Sequence, residues 1–323
     1  MYKLHMLGGI FMRICYIKQA EKIDEYINYT NKIKSQFIKK IIKYLKKIFN
    51  IITLKPIGDG IIFFMPNKKN CEIKLANKII RKLKYYNIKN IVIENKLRKE
   101  FFINTLYENN MNILDGRWLF NYLLIDAIEY IAKLKNEELE NQEVSMTIND
   151  LDEIGVNNIY NIAEKVKRLN IITNNIDKLK NIENNLYQEK GIMIAVSNSK
   201  RKSLAKAKII LNVDFPEEII NNYNINKKAI LINIESKIRI NNKSFNGINI
   251  NYYDIKIDDN IMKKFIENGM YEYFDPNVLY ESILYSKSRY QTIREKIKKD
   301  EIAINGLIGN NGIINEKEFN QNS

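Results

Sequence analysis

Nine polar residues stand out by where they fall along the chain. Asn149, Asp150, Thr173, Asn174, Ser197, Asn198 and Asp214 each lie at or just after the end of a short apolar run, and Asp115 and Arg117 flank a glycine ahead of a long apolar helical pattern. If those runs are neighbouring parallel strands, the seven residues that end them gather along one sheet edge. Carboxylates there could hold or move a proton, amides and hydroxyls could orient a small ligand, and the Arg117 guanidinium could pair with an anion. Simpler roles compete with these. Asp150 and Asp152 suit helix caps, Asp115 a turn ahead of a helix, and Trp118 plain packing. The run Ser199-Lys200-Arg201-Lys202-Ser203 could grip phosphates or be a solvated loop.

Other chemistry is removed by composition. The one histidine is His5. Residues 8 to 12 read Gly-Gly-Ile-Phe-Met, which back-translate to GGAGGA, an AT-rich spacer and ATG. That is the layout of a bacterial ribosome-binding site, so translation is expected to begin at Met12 and not at Met1. A chain starting there has no histidine. It loses Ser-His-Asp and Cys-His catalysis, histidine metal ligands and the commonest general base. The two cysteines, Cys15 and Cys71, make neither a disulfide framework nor a Cys-rich zinc site, so no metal site is expected.

The 323 residues are 45% hydrophobic and 28% charged, enough to bury two cores. No run approaches the roughly 18 apolar residues that cross a bilayer, and the most apolar stretch, 119 to 132, is interrupted by Asp126 and Glu129. Cytoplasm is the expected compartment. The net charge of +14 raises nucleic acid as a partner. Ile, Asn and Lys dominate the chain, however, and all three have AT-rich codons. Lysine outweighs the planar arginine fork that phosphate-reading surfaces favour, which argues against nucleic acid as the main partner.

The elements that must position the polar residues follow from apolar spacing. Strands are expected at 13 to 18, 51 to 54, 61 to 65, 89 to 94 and 111 to 114, with helices between, as an α/β domain over 12–115. One helix is sharply amphipathic: Phe37, Ile38, Ile41, Ile42, Leu45, Ile48 and Phe49 share a face, and Lys39, Lys40, Lys43, Lys46 and Lys47 fill the other. Its apolar stripe reads as core-facing, with an anionic membrane or RNA as the alternative partner. A long connector helix is expected over 116–138.

A second domain is expected over 139–258. Its strands fall at 144 to 148, 170 to 173, 192 to 196, 209 to 213 and 229 to 234, each followed by a helix or a turn, with Gly191 stopping one helix. Continuous apolar strands in strand–helix units mean a parallel sheet covered on both faces. Residues 259–323 are expected to be helical, ending in a glycine-containing tail whose Asn311-Gly312 pair reads as a hairpin turn rather than a phosphate cradle.

The fold class read from this is α/β, with two α/β domains, the second a Rossmann-like parallel sheet, and C-terminal helices. The stretch from Val196 to Ile234, including Ser203-Leu204-Ala205-Lys206-Ala207-Lys208-Ile209-Ile210-Leu211-Asn212, resembles the distal half of Rossmann-type two-domain dehydrogenases, with a layout similar to shikimate dehydrogenase. The resemblance implies NAD or NADP as cofactor. It breaks where the family places its glycine fingerprint. That position reads Asn149-Asp150-Leu151-Asp152-Glu153-Ile154-Gly155, with one glycine and three carboxylates that repel a pyrophosphate. After the next strand, Thr173-Asn174-Asn175 offers neither the ribose-binding acid nor an arginine for the extra phosphate of NADP.

The expected function is therefore a Rossmann-like protein that binds a small anionic or nucleotide ligand in a cleft between the domains. The alternatives are a non-catalytic scaffold or regulatory module, and a basic nucleic-acid or membrane-surface binder.

Overall fold

The computed structural model describes residues 13–26, 35–66, 73–285 and 290–321. His5, the expected start at Met12 and Cys71 lie outside those residues. The chain divides into two compact units, one of residues 1–115 and 258–286, the other of residues 116–257 and 287–323.

The first unit is built on a five-stranded sheet. Its strands are β1 (Ile14–Gln19), β2 (Thr53–Ile57), β3 (Gly60–Met65), β4 (Asn90–Ile93) and β5 (Asn112–Leu114), in the order β2-β3-β1-β4-β5. All pairs are parallel except β2 with β3, which are joined through Gly58-Asp59, Gly58 taking a positive φ of 54°. Pro56 sits in β2 at the sheet edge, where a missing N–H does least harm. Among the helices, α2 (Ile73–Tyr85) buries Leu75, Ala76, Ile79, Ile80 and Leu83 at helical spacing, and α3 (Glu100–Glu108) buries Phe102 and Leu106.

Helix α1 (Gln36–Ile48) departs from expectation. Its N-cap is Ser35, whose hydroxyl accepts from the Ile38 N–H, but no residue of the helix is buried. The apolar stripe read as core-facing lies open, with Phe37 71% and Phe49 62% exposed. Spacing sets which residues share a face; it does not say whether a partner covers that face.

In the second unit, the expected connector helix is two helices, α4 (Arg117–Tyr122) and α5 (Leu124–Leu134). They part at Leu123, whose N–H is shared between the Leu119 and Phe120 carbonyls. Arg294 takes the Tyr122 carbonyl at 2.6 Å and the Asp126 carboxylate at 2.7 Å, giving the break its partner. Leu119, Phe120, Ile125, Ala127, Ile128 and Ile131 are buried, so this segment is part of the second unit's core.

The second sheet has six strands, all paired in parallel. They are β6 (Glu143–Thr147), β7 (Arg168–Ile172), β8 (Ala195–Ser197), β9 (Ile209–Asn212), β10 (Ile230–Asn233) and β11 (Ile248–Ile250), in the order β11-β10-β9-β6-β7-β8. Helices α6 (Glu153–Ala163), α7 (Ile176–Lys190), α8 (Lys200–Lys206) and α9 (Glu217–Asn221) connect them. The five expected strands are present. The third is short and begins three residues late, and β11 adds a sixth. The short strand β12 (Tyr252–Lys256) follows directly.

The C-terminal region is shared between the units. Helices α10 (Asp259–Glu267) and α11 (Pro276–Leu284) belong to the first, where Tyr16 lies edge-on to Phe265 and Phe274 and its hydroxyl meets Ser282 Oγ at 2.7 Å. Helix α12 (Tyr290–Lys299), strands β13 (Ala303–Gly309) and β14 (Gly312–Ile313) and helix α13 (Glu316–Gln321) belong to the second. The tail is thus partly strand. It forms a hairpin around Asn310-Asn311, with Gly312 at φ 115°, and β13 pairs antiparallel with β12.

One feature of the second sheet is polar and buried. Thr147, Asn212 and Asn233 close β6, β9 and β10 in register, and Asn251 follows β11. Thr147 Oγ1 donates to Asn212 Oδ1 at 2.6 Å, and Asn212 Nδ2 donates to Asn233 Oδ1 at 3.2 Å. Asn233 Nδ2 donates to the Asn251 and Asn249 amide oxygens, and Asn251 Nδ2 reaches Asn310 Oδ1 at 2.9 Å. The four ladder residues are at most 2% exposed. Asn233→Leu keeps the volume but strips partners from three amides. It is expected to cost about 3 kcal/mol with an unchanged denaturant slope, whereas Asn198→Ala on the exposed edge stays within about 0.5 kcal/mol; urea unfolding checks both.

Candidate functional site

The second sheet reverses direction of growth between β6 and β9. The chain runs outward through β7 and β8 to one edge, then returns and runs through β10 and β11 to the other. Loops leaving β6 and β9 diverge there, and in open parallel sheets this is where ligands bind.

The loops at that point are tied together by their own side chains. Asp214, just after β9, accepts from the N–H groups of Asn149 and Asp150 at 2.7 and 2.6 Å. Asn149 Oδ1 accepts from the Asn174 N–H at 2.9 Å, and Asn175 Nδ2 donates back to the Asn149 carbonyl at 2.8 Å. Thr173 is fully buried, its Oγ1 accepting from the Asn175 N–H and its own N–H donating to the Ser197 carbonyl. Ser197 Oγ accepts from the Ser199 N–H. Lys200 turns to Asn174 Oδ1 and lies 5.6 Å from the Phe215 ring. Asn198 is exposed, and its carbonyl accepts from the Lys200 N–H. Seven of the nine residues singled out in the sequence thus belong to three adjoining loops and the Asp214 turn.

The other two part company. Arg117 belongs to the second unit, where it donates to the Ile234 carbonyl at 2.6 Å and the Asn251 carbonyl at 3.1 Å, just beyond β10 and β11. Its guanidinium serves carbonyls at the sheet edge. Asp115 is half-buried after β5 in the first unit. Asp152 caps α6 by accepting from the Gly155 N–H at 2.7 Å.

The edge is acidic. Burial raises the Asp214 carboxyl above its ordinary value, and the nearby Asp150 charge raises it further against the two N–H bonds that lower it. Glu235, after β10, is pushed up to about 7, first by desolvation and then by Asp214, Asp152 and Asp150. Sequence reasoning missed Glu235, although the rule that selected Asp214, an acid just past a parallel strand, applies to it equally. Among the described residues no three Asp, Glu, Cys or His side chains are grouped to hold a metal ion.

A second set of charges, also missed, sits at the carboxyl edge of the first sheet. Lys18 is 3% exposed, pairs with Glu25 at 2.8 Å and lies over the Tyr273 ring. Burial lowers its ammonium below the ordinary lysine value. Glu94, equally buried, accepts from the Gln19 N–H at 2.7 Å. The available signal was a charged residue ending an otherwise apolar strand, in RICYIK and in KNIVIE.

No family model and no curated protein matches this chain. Solved structures similar to it include the L-tryptophan dehydrogenase of Nostoc punctiforme, 11% identical over 72% of this chain and 65% of that one, with a TM-score of 0.31. They also include the A chain of dipicolinate synthase from Bacillus subtilis, at 8% identity, 69% and 80% coverage and a TM-score of 0.34. A third is the ornithine carbamoyltransferase of Pyrococcus furiosus, at 9% identity, 72% and 74% coverage and a TM-score of 0.28. The chain spans just under two thirds of the length of the tryptophan dehydrogenase. The Rossmann-like character of the second unit rests on its own strand order and parallel pairing.

The raised Glu235 carboxyl sets a pH dependence. Between the usual glutamate value near 4.3 and about 7, the folded chain holds a proton that the unfolded chain releases. Stability from this group is complete at the acid end of that window and is lost as pH rises through it. The urea midpoint of the native protein is expected to fall between pH 5 and pH 8, and Glu235→Gln to fall less.

Proposed function

We propose that the second unit is a Rossmann-like small-molecule-binding module that does not take a dinucleotide, and that its ligand presents an amine or a row of hydroxyls to the carboxyl edge of the sheet. One observation carries this reading. The N–H groups after β6, which in nucleotide-binding sheets face a pyrophosphate, are already held by the Asp214 carboxylate. Asp150 and Asp152 add negative charge near it. At this edge the proposal therefore replaces the expected anionic or nucleotide ligand with one of opposite charge.

Thermal shift on the full chain tests it. A ligand at 100 times its dissociation constant adds about 2.7 kcal/mol, so real binding is visible. Millimolar NAD or NADP is expected to leave the melting temperature unchanged, while an amino sugar or a polyamine raises it. Asp214→Asn, which keeps an oxygen for the two N–H groups, should weaken the amine response. A clear rise with either dinucleotide would falsify the proposal. No response to any ligand would favour the scaffold reading.

A second reading has its own observation, the open apolar stripe of α1 beside Lys39, Lys40, Lys43, Lys46 and Lys47. Lys39 pairs with Asp24, Lys46 donates to Thr53 and Lys43 lies over the Tyr26 ring, so the face left open is the apolar one, which a lipid surface meets and RNA does not. Sedimentation with vesicles of phosphatidylcholine and phosphatidylglycerol is expected to carry the protein down, vesicles of phosphatidylcholine alone much less so. Phe37→Ser with Phe49→Ser should abolish the difference; persistence would remove α1 from the interaction.

A further inference from the structure

We propose that the second unit carries another binding site, at the amino edge of its sheet, for a small polyanion bearing phosphate or carboxylate groups. A cavity of about 820 Å³ opens there beside the first residues of β6, β7, β9 and β10 and the second half of α8, and reaches Ala195 and Ser197 of the edge strand β8. That volume suits a small ligand.

The floor of the cavity breaks the pattern of the sheet. A parallel sheet covered on both faces is expected to be apolar on both. Val144 and Met146 obey this on one face of β6, fully buried. On the other face, which packs α8 through Leu204 and Ala207, Ser145 stands in register with Asn170 of β7, and both line the cavity. Ser145 is 4% exposed, and its hydroxyl has no hydrogen-bond partner among the described residues. The Asn170 amide likewise has none. Neither group is sealed from the cavity, so both are open to accept or donate to a ligand oxygen there.

The walls supply charge. Lys167, Arg168, Lys202, Lys206, Lys208 and Lys228 all line the cavity, and none has an acidic partner among the described residues. Lys135 is also present but is paired with Glu137 at 2.9 Å, and Glu143 is the other carboxylate. Six unpaired cations around a polar floor attract a multiply charged anion, and ammonium groups bind phosphate as point charges. Among the described residues no aromatic side chain lines the cavity, so it lacks the stacking platform that holds single-stranded nucleic acid. The basic run noted in the sequence contributes only its second half, Lys202 and Ser203.

Calorimetry of the full chain with sodium tripolyphosphate and with citrate tests the site, and the relative affinities tell phosphate from carboxylate. One anion is expected to bind per chain. Arg168→Ala with Lys206→Ala should weaken binding about tenfold or more. Ser145→Val should weaken it severalfold with an unchanged far-ultraviolet circular dichroism spectrum. Lys40→Ala with Lys47→Ala, which removes the same charge from α1, should leave it unchanged. The site is overturned if neither anion binds at millimolar concentration, or if the two double variants lose affinity equally. It is also overturned if a 20-nucleotide RNA binds far more tightly and competes, with the steep salt dependence of a phosphate-backbone contact.

Discussion

Parallel strands end in peptide groups that point out of the sheet and need partners, and in the second unit the chain's own side chains supply them. Thr147, Asn212, Asn233 and Asn251 cross the ends of four strands as a buried ladder. Arg117 takes the carbonyls of Ile234 and Asn251, and Asp214 takes the N–H groups of Asn149 and Asp150. In a sheet that binds a dinucleotide, some of these groups stay open so that pyrophosphate can complete them. Here the loops after β6, β7 and β9 hold one another, and the Asp214 carboxylate takes the N–H groups that follow β6.

Closing the edge with carboxylates has an electrostatic consequence. Desolvation first, and then the charges of Asp214, Asp152 and Asp150, push the Glu235 carboxyl up to about 7. The opposite edge of the same sheet carries six lysines and arginines without acidic partners. A single sheet thus presents an acidic carboxyl edge and a basic amino edge. Net charge hides this, because +14 for the chain says nothing of where the negative charges gather.

The strands were legible because each is a short, largely apolar run bounded by turn residues, and strand–helix alternation points to parallel pairing. Strand β8 was less so. Met193, 76% exposed, lies in the run read as strand and faces solvent instead. Strand β11 was missed because only Ile248 and Ile250 mark it within an asparagine-rich stretch. The site was legible as far as position along a strand determines it, and Asn149, Thr173, Asn174 and Asp214 do share an edge. Whether those residues face a ligand or each other depends on hydrogen bonds between loops 25 to 65 residues apart in sequence. Spacing carries no such information. The open face of α1 and the unpartnered Ser145 are of the same kind, since both depend on what lies opposite.

The choice between asparagine and aspartate along the carboxyl edge follows from counting donors and acceptors. Asn212 must accept from the Thr147 hydroxyl and the Phe215 N–H while donating to the Phe215 carbonyl and Asn233. Only an amide does both, and it does so without charge, so it repeats from strand to strand across a spacing of about 4.8 Å. A carboxylate there would bring a buried charge and leave two acceptors without a donor. Asp214 faces the reverse case, two backbone donors and no acceptor that needs a proton, and there a carboxylate fits. The amides let the ladder be buried, while Asp214 is half-buried, one oxygen taking both N–H groups and the other, Oδ1, buried without a partner.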